Sequence, residues 1–378
     1  MDKIIVVFGT RPEAIKLAPV IRELKKKDPG AVKVCVTAQH RQMLDQVLNL
    51  FEIVPDYDLN IMSDNQTPSR VASQVFEKLE PVLIKEEPQW LLVQGDTTTV
   101  AASALCGFYR KIKIAHVEAG LRTRDKTQPF PEEVNRKVAA VVADLHFAPT
   151  RKARQNLLEE GVPGRQVYLS GNPVIDALIW AASLPFDAAG LQIPFLGDPR
   201  RKIIFVTAHR RENFGEPLEN ICRALKGLAE QNQETLGIVY AVHLNPRVWD
   251  TAQRILSTTA NVKLTGPLGY LETVNLMKRS YLVLTDSGGI QEEAPALGKP
   301  VLVLRNLTER PEAVEAGTVK LAGTSSENIM RQAKQLLEDA GEYNRMARAV
   351  NPYGDGKASE RIAAYFSGEQ LAEFNPLF

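Results

Sequence analysis

The fold class is most clearly indicated by the segment Ile4-Ile5-Val6-Val7-Phe8-Gly9-Thr10-Arg11. Its apolar residues favour a buried strand, and Thr10 and Glu13 have the spacing of a capping box, so a helix begins directly after the strand. Near the middle of the chain, Ile203-Ile204-Phe205-Val206-Thr207-Ala208-His209-Arg210 repeats this arrangement. The two matching openings predict two domains of similar construction.

Short β-branched runs alternate with amphipathic stretches on both sides of each opening, which is the pattern of βαβ units and a parallel sheet. The predicted strands of the first half are 4–8, 32–37, 90–94, 112–117, 145–148 and 167–170, and those of the second half are 203–207, 237–242, 262–265, 282–285, 301–304 and 319–321. The fold class is therefore α/β. Because open α/β sheets bind ligands beyond the carboxyl ends of their strands, we expect two Rossmann-like domains facing each other across a cleft.

The segment between the halves is rich in Pro and Gly and lacks a helical period, so it is the predicted linker. The predicted domains are an N-terminal Rossmann-like domain at 1–183, a linker at 184–200 and a C-terminal Rossmann-like domain at 201–355. The remaining segment, 356–378, contains a helix that is a candidate to pack back on the first domain.

Charge and cysteine content exclude several classes of function. The chain has 378 residues with 46 Lys and Arg against 45 Asp and Glu, a net charge of +1 that provides no general attraction for nucleic acid or an anionic membrane. Cys35, Cys106 and Cys222 lie far apart without metal-ligand spacing, which argues against disulfides and zinc. No signal-peptide pattern or long apolar run occurs, so we expect a cytoplasmic protein.

The loop after the first strand is a candidate phosphate contact. Helix amides, Arg11 and Lys16 would suit a phosphate, although a plain capped helix with solvated basic residues also fits. The loop has no GxGxxG pattern, which argues against a dinucleotide cofactor held in the usual way.

Acidic residues follow the third and fourth strands of the first half. Asp96 lies at a strand tip and is either an acid/base candidate or a helix N-cap. Glu118 emerges at the end of the next strand, where partial burial would suit a general acid or base. Glu132 and Glu133 begin a Pro-primed helix, and Glu133 is interpreted as an ordinary partner of the helix dipole.

Two loops of the second half point to an anion. His209 is flanked by Arg210 and a further arginine, a pattern that favours contact with a negative group. The run Ser287-Gly288-Gly289 lies between a strand and a helix, and its glycines let the backbone approach a diphosphate. Glu292 or Glu293 in that helix could accept hydrogen bonds from a ribose diol.

Taken together, these loops resemble the non-hydrolysing UDP-N-acetylglucosamine 2-epimerases, a family with the two-domain GT-B fold. The resemblance runs over nearly the whole chain. Its motifs are Gly9-Thr10-Arg11-Pro12-Glu13, Gln94-Gly95-Asp96, Val117-Glu118-Ala119-Gly120-Leu121-Arg122, Ser287-Gly288-Gly289-Ile290-Gln291-Glu292-Glu293-Ala294-Pro295 and Thr308-Glu309-Arg310-Pro311-Glu312.

The resemblance implies reversible epimerisation at C2, by anti elimination of UDP through 2-acetamidoglucal and readdition. No cofactor and no metal is implied. The catalytic residues that it implies are Asp96, Glu118, Glu132 and His209, and those that hold the substrate are Arg11, Lys16, Ser287, Gly288, Gly289, Glu293 and Arg310. Which carboxylate is the base and which the acid stays open.

The resemblance also implies a homodimer and a second bound UDP-N-acetylglucosamine that acts as an effector. The matching positions are Gln39, Gln42, Arg210 and His243, and the alternative is that Gln39 and Gln42 begin a solvated helix. Two other activities compete with this interpretation: a hydrolysing epimerase, which releases N-acetylmannosamine and UDP, and a GT-B glycosyltransferase. The carboxylates favour an epimerase over a glycosyltransferase, and the segments around His40 and His209 favour the non-hydrolysing branch.

Overall fold

The computed structural model describes residues 1–38, 41–63 and 66–376. The chain forms two compact units. The first comprises residues 1–177 and 353–375, and the second comprises residues 178–352 with 376 of the described residues. Each unit contains one parallel sheet with helices, so the predicted α/β class is confirmed.

The sheet of the first unit has the order β3-β2-β1-β4-β5-β6-β7, and all its pairings are parallel. Its strands are β1 (Ile4–Phe8), β2 (Val32–Val36), β3 (Tyr57–Asp58), β4 (Trp90–Gln94), β5 (Lys113–Val117), β6 (Leu145–Ala148) and β7 (Val167–Leu169). The helices up to the start of the second unit are α1 (Arg11–Lys27), α2 (Arg41–Leu50), α3 (Pro68–Glu86), α4 (Thr98–Tyr109), α5 (Glu132–Val142), α6 (Arg151–Glu159) and α7 (Pro173–Ser183).

The second sheet has the order β10-β9-β8-β11-β12-β13 and is also parallel. Its strands are β8 (Lys202–Thr207), β9 (Leu236–Ala241), β10 (Val262–Thr265), β11 (Leu282–Thr285), β12 (Val301–Val303) and β13 (Val319–Leu321). Its helices are α8 (Glu216–Gln231), α9 (Pro246–Leu256), α10 (Tyr270–Arg279), α11 (Gly288–Ala296), α12 (Pro311–Glu315), α13 (Ser326–Glu338) and α14 (Ala340–Ala347).

In both sheets the order in which successive strands are added reverses beside the first strand, and this position is called the reversal point of the sheet. In the first unit β1 lies between β2 and β4, and in the second unit β8 lies between β9 and β11. The loops that leave β1 and β4, or β8 and β11, diverge to opposite sides of their sheet and open a crevice at the strand ends. These are the loops to which the sequence assigns Arg11, Asp96, His209 and Ser287.

The C-terminal segment belongs to the first unit. Helix α15 (Ala358–Ser367) packs on α1, and its Ile362 and Ala363 are fully buried. Phe366 makes an edge-to-face contact with Trp90, the first residue of β4, with 5.5 Å between ring centroids. The covered face explains why α15 is apolar on one side.

All twelve predicted strands are present, with ends that agree to within one residue. The strand missed by the sequence is Tyr57–Asp58, which has two residues and pairs with the end of β2. So short a strand has no periodicity of its own. The predicted linker, 184–200, lies in the second unit and contains a 3-10 helix at Ala188–Leu191, and the first unit ends earlier, at Ala177 within α7.

Candidate functional site

Glu13 joins the two loops at the reversal point of the first sheet. Its carboxylate accepts hydrogen bonds from the backbone N–H groups of Gly9 and Thr10, at 2.8 and 2.7 Å, so the predicted capping box is present. It also accepts a bond of 2.6 Å from the Thr97 hydroxyl, which follows β4. Burial raises the pKa of Glu13, and these donors oppose the shift. Glu13 is therefore a structural acid that holds the Arg11 and Asp96 loops together.

Glu118 accepts hydrogen bonds from three side chains of the first unit. The Lys16 ammonium contacts both of its oxygens, at 2.7 and 2.6 Å, and the side-chain amides of Gln94 and Asn172 also donate to it. Glu118 follows the last residue of β5 with a left-handed backbone, φ +61°, so the strand alternation that would align it with His116 does not continue to this position. The side chain of Glu118 is held by residues of α1, β4 and the segment that precedes α7.

Asp96 is paired with Arg136. The Arg136 guanidinium donates to the Asp96 carboxylate, and the Asn135 side chain donates to its backbone oxygen at 3.0 Å. Both partners lie on α5. The helix N-cap that the sequence offers as an alternative role for Asp96 is filled by the next residue, Thr97, whose hydroxyl accepts from Val100 N at 3.3 Å.

Neighbouring acids at the start of α5 have different environments. Glu133 is fully buried and accepts hydrogen bonds from the backbone N–H groups of Thr123 and Arg124, each at 3.1 Å. It therefore anchors the loop before α5 and does more than interact with the helix dipole. Glu132, one residue earlier, is half-exposed at the first position of the helix, where it is accessible to a ligand.

The basic residues predicted to contact phosphate are half-exposed. Arg11 is the first residue of α1, and Lys16 lies further along the same helix. The ion pair between Lys16 and Glu118 means that Lys16 does not present an uncompensated positive charge. The sequence gives no sign of this pairing, because 102 residues separate the partners.

Two buried histidines, His116 and His146, lie on adjacent strands and are paired in register. His116 Nε2 is 2.7 Å from the carbonyl oxygen of Gly95. Burial lowers the pKa of each imidazole to about 4, so both are neutral near pH 7. The contact of His116 links β5 to the Gly95–Asp96 loop.

Asp286 organises the reversal point of the second sheet. It is fully buried after β11, and one carboxylate oxygen accepts from the backbone N–H groups of His209 and Arg210, both at 2.7 Å, and from the Asn213 side chain at 3.0 Å. Its other oxygen lies 3.4 Å from His209 Nδ1. The sequence pattern does not indicate this role for Asp286, which directly precedes the Ser-Gly-Gly turn.

His209 lies partly in solvent, with 41% of its side chain exposed. Its imidazole stacks on that of His243, with 5.8 Å between ring centroids and 13° between planes. Burial of the remainder of the ring lowers the pKa of His209, an effect that the Asp286 charge opposes. A neutral, oriented imidazole at a strand end can accept or donate a hydrogen bond to a ligand.

The Ser-Gly-Gly turn forms the start of α11. Ser287 is the N-cap residue, and its hydroxyl makes no capping bond, so it is available on the same side as the first helix amides. A Cβ on Gly288 would lie 3.1 Å from a carboxylate oxygen of Glu309, so a larger residue would crowd this turn. The geometry fits an anion at the helix N-terminus.

Glu292 and Glu293 have separate partners. The Arg310 guanidinium donates through Nε to Glu292, which is almost completely buried. Glu293 accepts a hydrogen bond of 3.0 Å from the Tyr270 hydroxyl, and burial with the adjacent carboxylate raises the pKa of that phenol well above its usual value. Of the two acids, Glu293 is the one placed beside the Ser-Gly-Gly turn, where a Cβ on Gly289 would be 3.6 Å from it.

The four residues assigned to an effector are described in part. Arg210 forms an ion pair of 3.2 Å with Glu309, and the ring of His243 accepts from Asn245 N at 3.0 Å. Gln39 lies outside the described residues, as does the side chain of Gln42, although Gln42 is part of α2.

Within the described ranges, no group of three or more His, Cys, Asp or Glu side chains could hold a metal ion, and no helix is long and apolar enough to cross a membrane.

Comparison with known proteins identifies the family. A family model described as UDP-N-acetylglucosamine 2-epimerase matches residues 22–367. The chain belongs to this family. A UDP-N-acetylglucosamine 2-epimerase from Escherichia coli (strain K12) is 52% identical over 376 residues, 98% of this chain and 100% of that protein. One from Salmonella typhimurium is 53% identical over 366 residues, 95% of this chain and 97% of its own length.

A solved structure supports the same family assignment. The crystal structure of the UDP-GlcNAc 2-epimerase from Neisseria meningitidis bound to UDP-GlcNAc is 49% identical with a TM-score of 0.89, covering 97% of this chain and 100% of that chain. The epimerase family predicted from the sequence is confirmed, as is the GT-B type of α/β fold. Both of these relatives are named as epimerases, which is the enzyme class that the sequence indicates.

Proposed function

We propose that this chain catalyses the reversible epimerisation of UDP-N-acetylglucosamine at C2, giving UDP-N-acetylmannosamine without net hydrolysis. The observation that carries the proposal is the pair of oriented carboxylates, Asp96 and Glu118, at the strand ends of the first unit of a chain that matches these epimerases over almost its whole length. The Neisseria relative, which is bound to UDP-GlcNAc, supports the choice of substrate.

The first half of the reaction is an elimination. A carboxylate removes the C2 proton, the C2–H electron pair forms the C1–C2 double bond, and the anomeric C1–O electrons leave with UDP. The products are 2-acetamidoglucal and UDP. Asp96, Glu118 and Glu132 are the candidate acid and base. They lie at three separate places in the first unit, after β4, after β5 and at the first position of α5, and Asp96 and Glu118 are held by different partners.

In the second half, a proton is delivered to the opposite face of C2 while a diphosphate oxygen of UDP adds to C1. This restores the C1–O bond and inverts C2. UDP carries more negative charge while it is free, so groups that stabilise it lower the barrier. In the second unit these are His209, the Ser287 hydroxyl and the first amides of α11, with Arg310 and Glu293 beside them. Arg11 and Lys16 of the first unit are assigned to the same substrate.

Proton NMR of UDP-N-acetylglucosamine incubated with the pure protein in heavy water tests the proposal. We expect UDP-N-acetylmannosamine to form, with deuterium at C2 of both the product and the recovered substrate. Free N-acetylmannosamine with UDP would indicate the hydrolysing epimerase instead, and turnover that requires an acceptor would indicate a glycosyltransferase. Retention of the original hydrogen at C2 would exclude elimination. We expect activity to persist with a chelator and without NAD.

We also propose that a second UDP-N-acetylglucosamine acts as an effector, contacting Gln39, Gln42, Arg210 and His243. The stacking of His243 on His209 supports this role, since a ligand on His243 would touch the neighbour of a substrate residue. An effector acts only through its differential affinity for the active form. UDP-N-acetylmannosamine alone should therefore turn over poorly until a trace of UDP-N-acetylglucosamine is added. Reverse progress curves without a lag, indifferent to that trace, would count against the effector.

We propose in addition that the enzyme is a homodimer. Apolar side chains on adjacent helices of the first unit remain exposed, notably Phe108 and Tyr109 on α4 at 53% and 67% and Val141 on α5 at 85%. Such a face is typical of an association surface. One chain has a mass of 41.9 kDa, and light scattering after size exclusion should give about twice that mass for the wild type. A mass of one chain for the wild type would contradict the dimer.

A further inference from the structure

The carboxylate of Glu118 has a full set of hydrogen-bond donors. Oε1 accepts from Lys16 Nζ at 2.7 Å and from Asn172 Nδ2 at 2.9 Å, and Oε2 accepts from Lys16 Nζ at 2.6 Å and from Gln94 Nε2. A carboxylate has about four lone-pair sites, so these contacts fill them. Two of the donors are side-chain amides, which are uncharged and remain hydrogen-bond donors across the pH range in which a carboxylate titrates. Lys16 is the one ionic partner among these three residues.

The backbone of Glu118 is also constrained. Its φ of +61° is in the left-handed region, which costs a non-glycine residue of order 1–3 kcal/mol and persists only where the surroundings determine it. Gln94 is the last residue of β4, and it is almost fully buried beside this position. The strained backbone and the surrounding donors aim the carboxylate in one direction.

Asn172 is itself braced by two further contacts. Its backbone N–H donates to the carbonyl oxygen of Tyr353 at 2.7 Å, where the chain re-enters the first unit, and its Oδ1 accepts from Val174 N at 3.2 Å, at the start of α7. Gly171 precedes it with φ +83°, and a Cβ there would lie 3.5 Å from Gly354 Cα. The Asn172 side chain therefore has separate functions on its two ends: its oxygen caps a helix, and its NH₂ group holds Glu118.

From this geometry we infer that Gln94 and Asn172 are positioning residues for the reaction. They hold the Glu118 carboxylate in place while the Lys16 ammonium releases and re-forms its hydrogen bonds to it. The inference rests on the proposed epimerase function. With all lone pairs occupied, Glu118 accepts a proton only after one bond to Lys16 is released. The two amides keep the carboxylate aimed at the same point during that exchange. Proton transfer at Glu118 is then coupled to movement of the Lys16 ammonium.

The two ends of Asn172 allow a test that separates capping from positioning. Asn172→Ser keeps an oxygen able to cap α7 but cannot reach Glu118, since Ser and Asn are comparable N-caps. Gln94→Met keeps the side-chain length and removes the donor at the other oxygen. Ser325→Ala is the control, because it removes the N-cap of α13 in the second unit, whose oxygen accepts from Asn328 N.

Two measurements are made on each variant. The first is the titration midpoint of the Glu118 carboxylate, followed by ¹³C NMR of protein labelled at Glu Cδ and assigned by the signal lost in Glu118→Gln. The second is the rate of epimerisation with UDP affinity measured in parallel by calorimetry. Loss of one hydrogen bond to a charged group should raise the midpoint and lower kcat by about 10- to 100-fold, with UDP affinity unchanged.

The outcomes separate the inference from the proposed function. A higher midpoint and lower kcat in Asn172→Ser and Gln94→Met, with neither change in Ser325→Ala, support the inference. An unchanged midpoint in both variants overturns it, whatever the activity. If the wild type forms no UDP-N-acetylmannosamine, the proposed function fails, and the midpoints still decide whether the two amides hold Glu118.

Discussion

Asp286 shows how one buried residue positions a loop that carries chemistry. Three N–H donors converge on one of its oxygens, and the His209 imidazole lies beside the other. A carboxylate in this place fixes the backbone at His209 and places a negative charge beside its imidazole. The local sequence could not reveal it, because His209 and Asp286 are 77 residues apart and meet only when β8 pairs with β11.

Asp286→Asn should weaken this arrangement while keeping its shape. Removing the negative charge lowers the pKa of His209 further, since the Asp286 charge is what opposes the effect of burial. NMR titration of His209 measures the shift, and we expect epimerisation to fall by about 10- to 100-fold because hydrogen bonds to a charged acceptor are lost. Asn213→Ala is the matched control: it removes one donor and keeps the charge, so a similar fall of the His209 pKa there would refute the electrostatic explanation.

Arg310 is expected both to bind UDP and to neutralise the buried Glu292, and a single substitution affects both functions. Arg310→Ala should weaken UDP binding by about 10- to 100-fold, the loss expected for one hydrogen bond to a charged group. It also leaves Glu292 buried without its guanidinium partner, which should destabilise the second unit by about 3–5 kcal/mol.

Calorimetry with UDP and urea unfolding separate these effects. In the double variant Arg310→Ala with Glu292→Gln, stability should recover and UDP affinity should not. Recovery of UDP binding in the double variant would show that Arg310 acts only through Glu292.

At the level of elements, the strands and the strand-end loops were predictable because buried parallel strands are continuous apolar runs, and capping boxes and Ser-Gly-Gly turns are local patterns. The partners of the site residues were not predictable. Lys16 with Glu118, Asp96 with Arg136 and Arg310 with Glu292 each join different elements. Their pairing depends on strand order, which the sequence does not display. The contact of Gln94 with Glu118 was not predictable for the same reason, although Gln94 directly precedes Gly95 and Asp96 in the sequence.

Asp176 links two elements that are distant in sequence. Its buried carboxylate on α7 accepts from the backbone N–H groups of Ala358 and Ser359, at 3.2 and 2.7 Å, and so caps α15 from outside. Burial raises its pKa from 3.8 to about 6. Between pH 4 and 6 the folded protein therefore binds more protons at this site than the unfolded chain, and its contribution to stability falls as the pH rises.

Asp176→Asn removes this titration and keeps an acceptor for α15. Relative to the wild type, the variant should gain stability as the pH rises from 4 to 7, by up to about 3 kcal/mol for a shift of about two units. Urea unfolding at a series of pH values gives the difference directly. A difference in the free energy of unfolding that does not vary with pH would mean that Asp176 is not the titrating group.

At the scale of the whole molecule, the first unit is built from both ends of the chain. Residues 353–375 return to it after the second unit has been completed. Helix α15 packs on α1, and its Ile362 is fully buried. Phe366 of the same helix contacts Trp90 at the start of β4. The first unit is thus complete only when the last helix of the chain is in place, and its stability depends on residues far from its other elements in sequence.

Ile362→Ala should therefore loosen the first unit selectively. Ile362 is fully buried, and truncating a buried aliphatic side chain to Ala costs about 2–5 kcal/mol. Ile329→Ala, in α13, is the matched control, since Ile329 is equally buried but belongs to the second unit. Hydrogen exchange read by mass spectrometry should show faster exchange in α1, β1 and β4 for Ile362→Ala, with β8 and β11 unchanged, and the reverse for Ile329→Ala. Equal loss of protection in both units from either substitution would show that the chain unfolds as one cooperative body rather than as two units with separate stabilities.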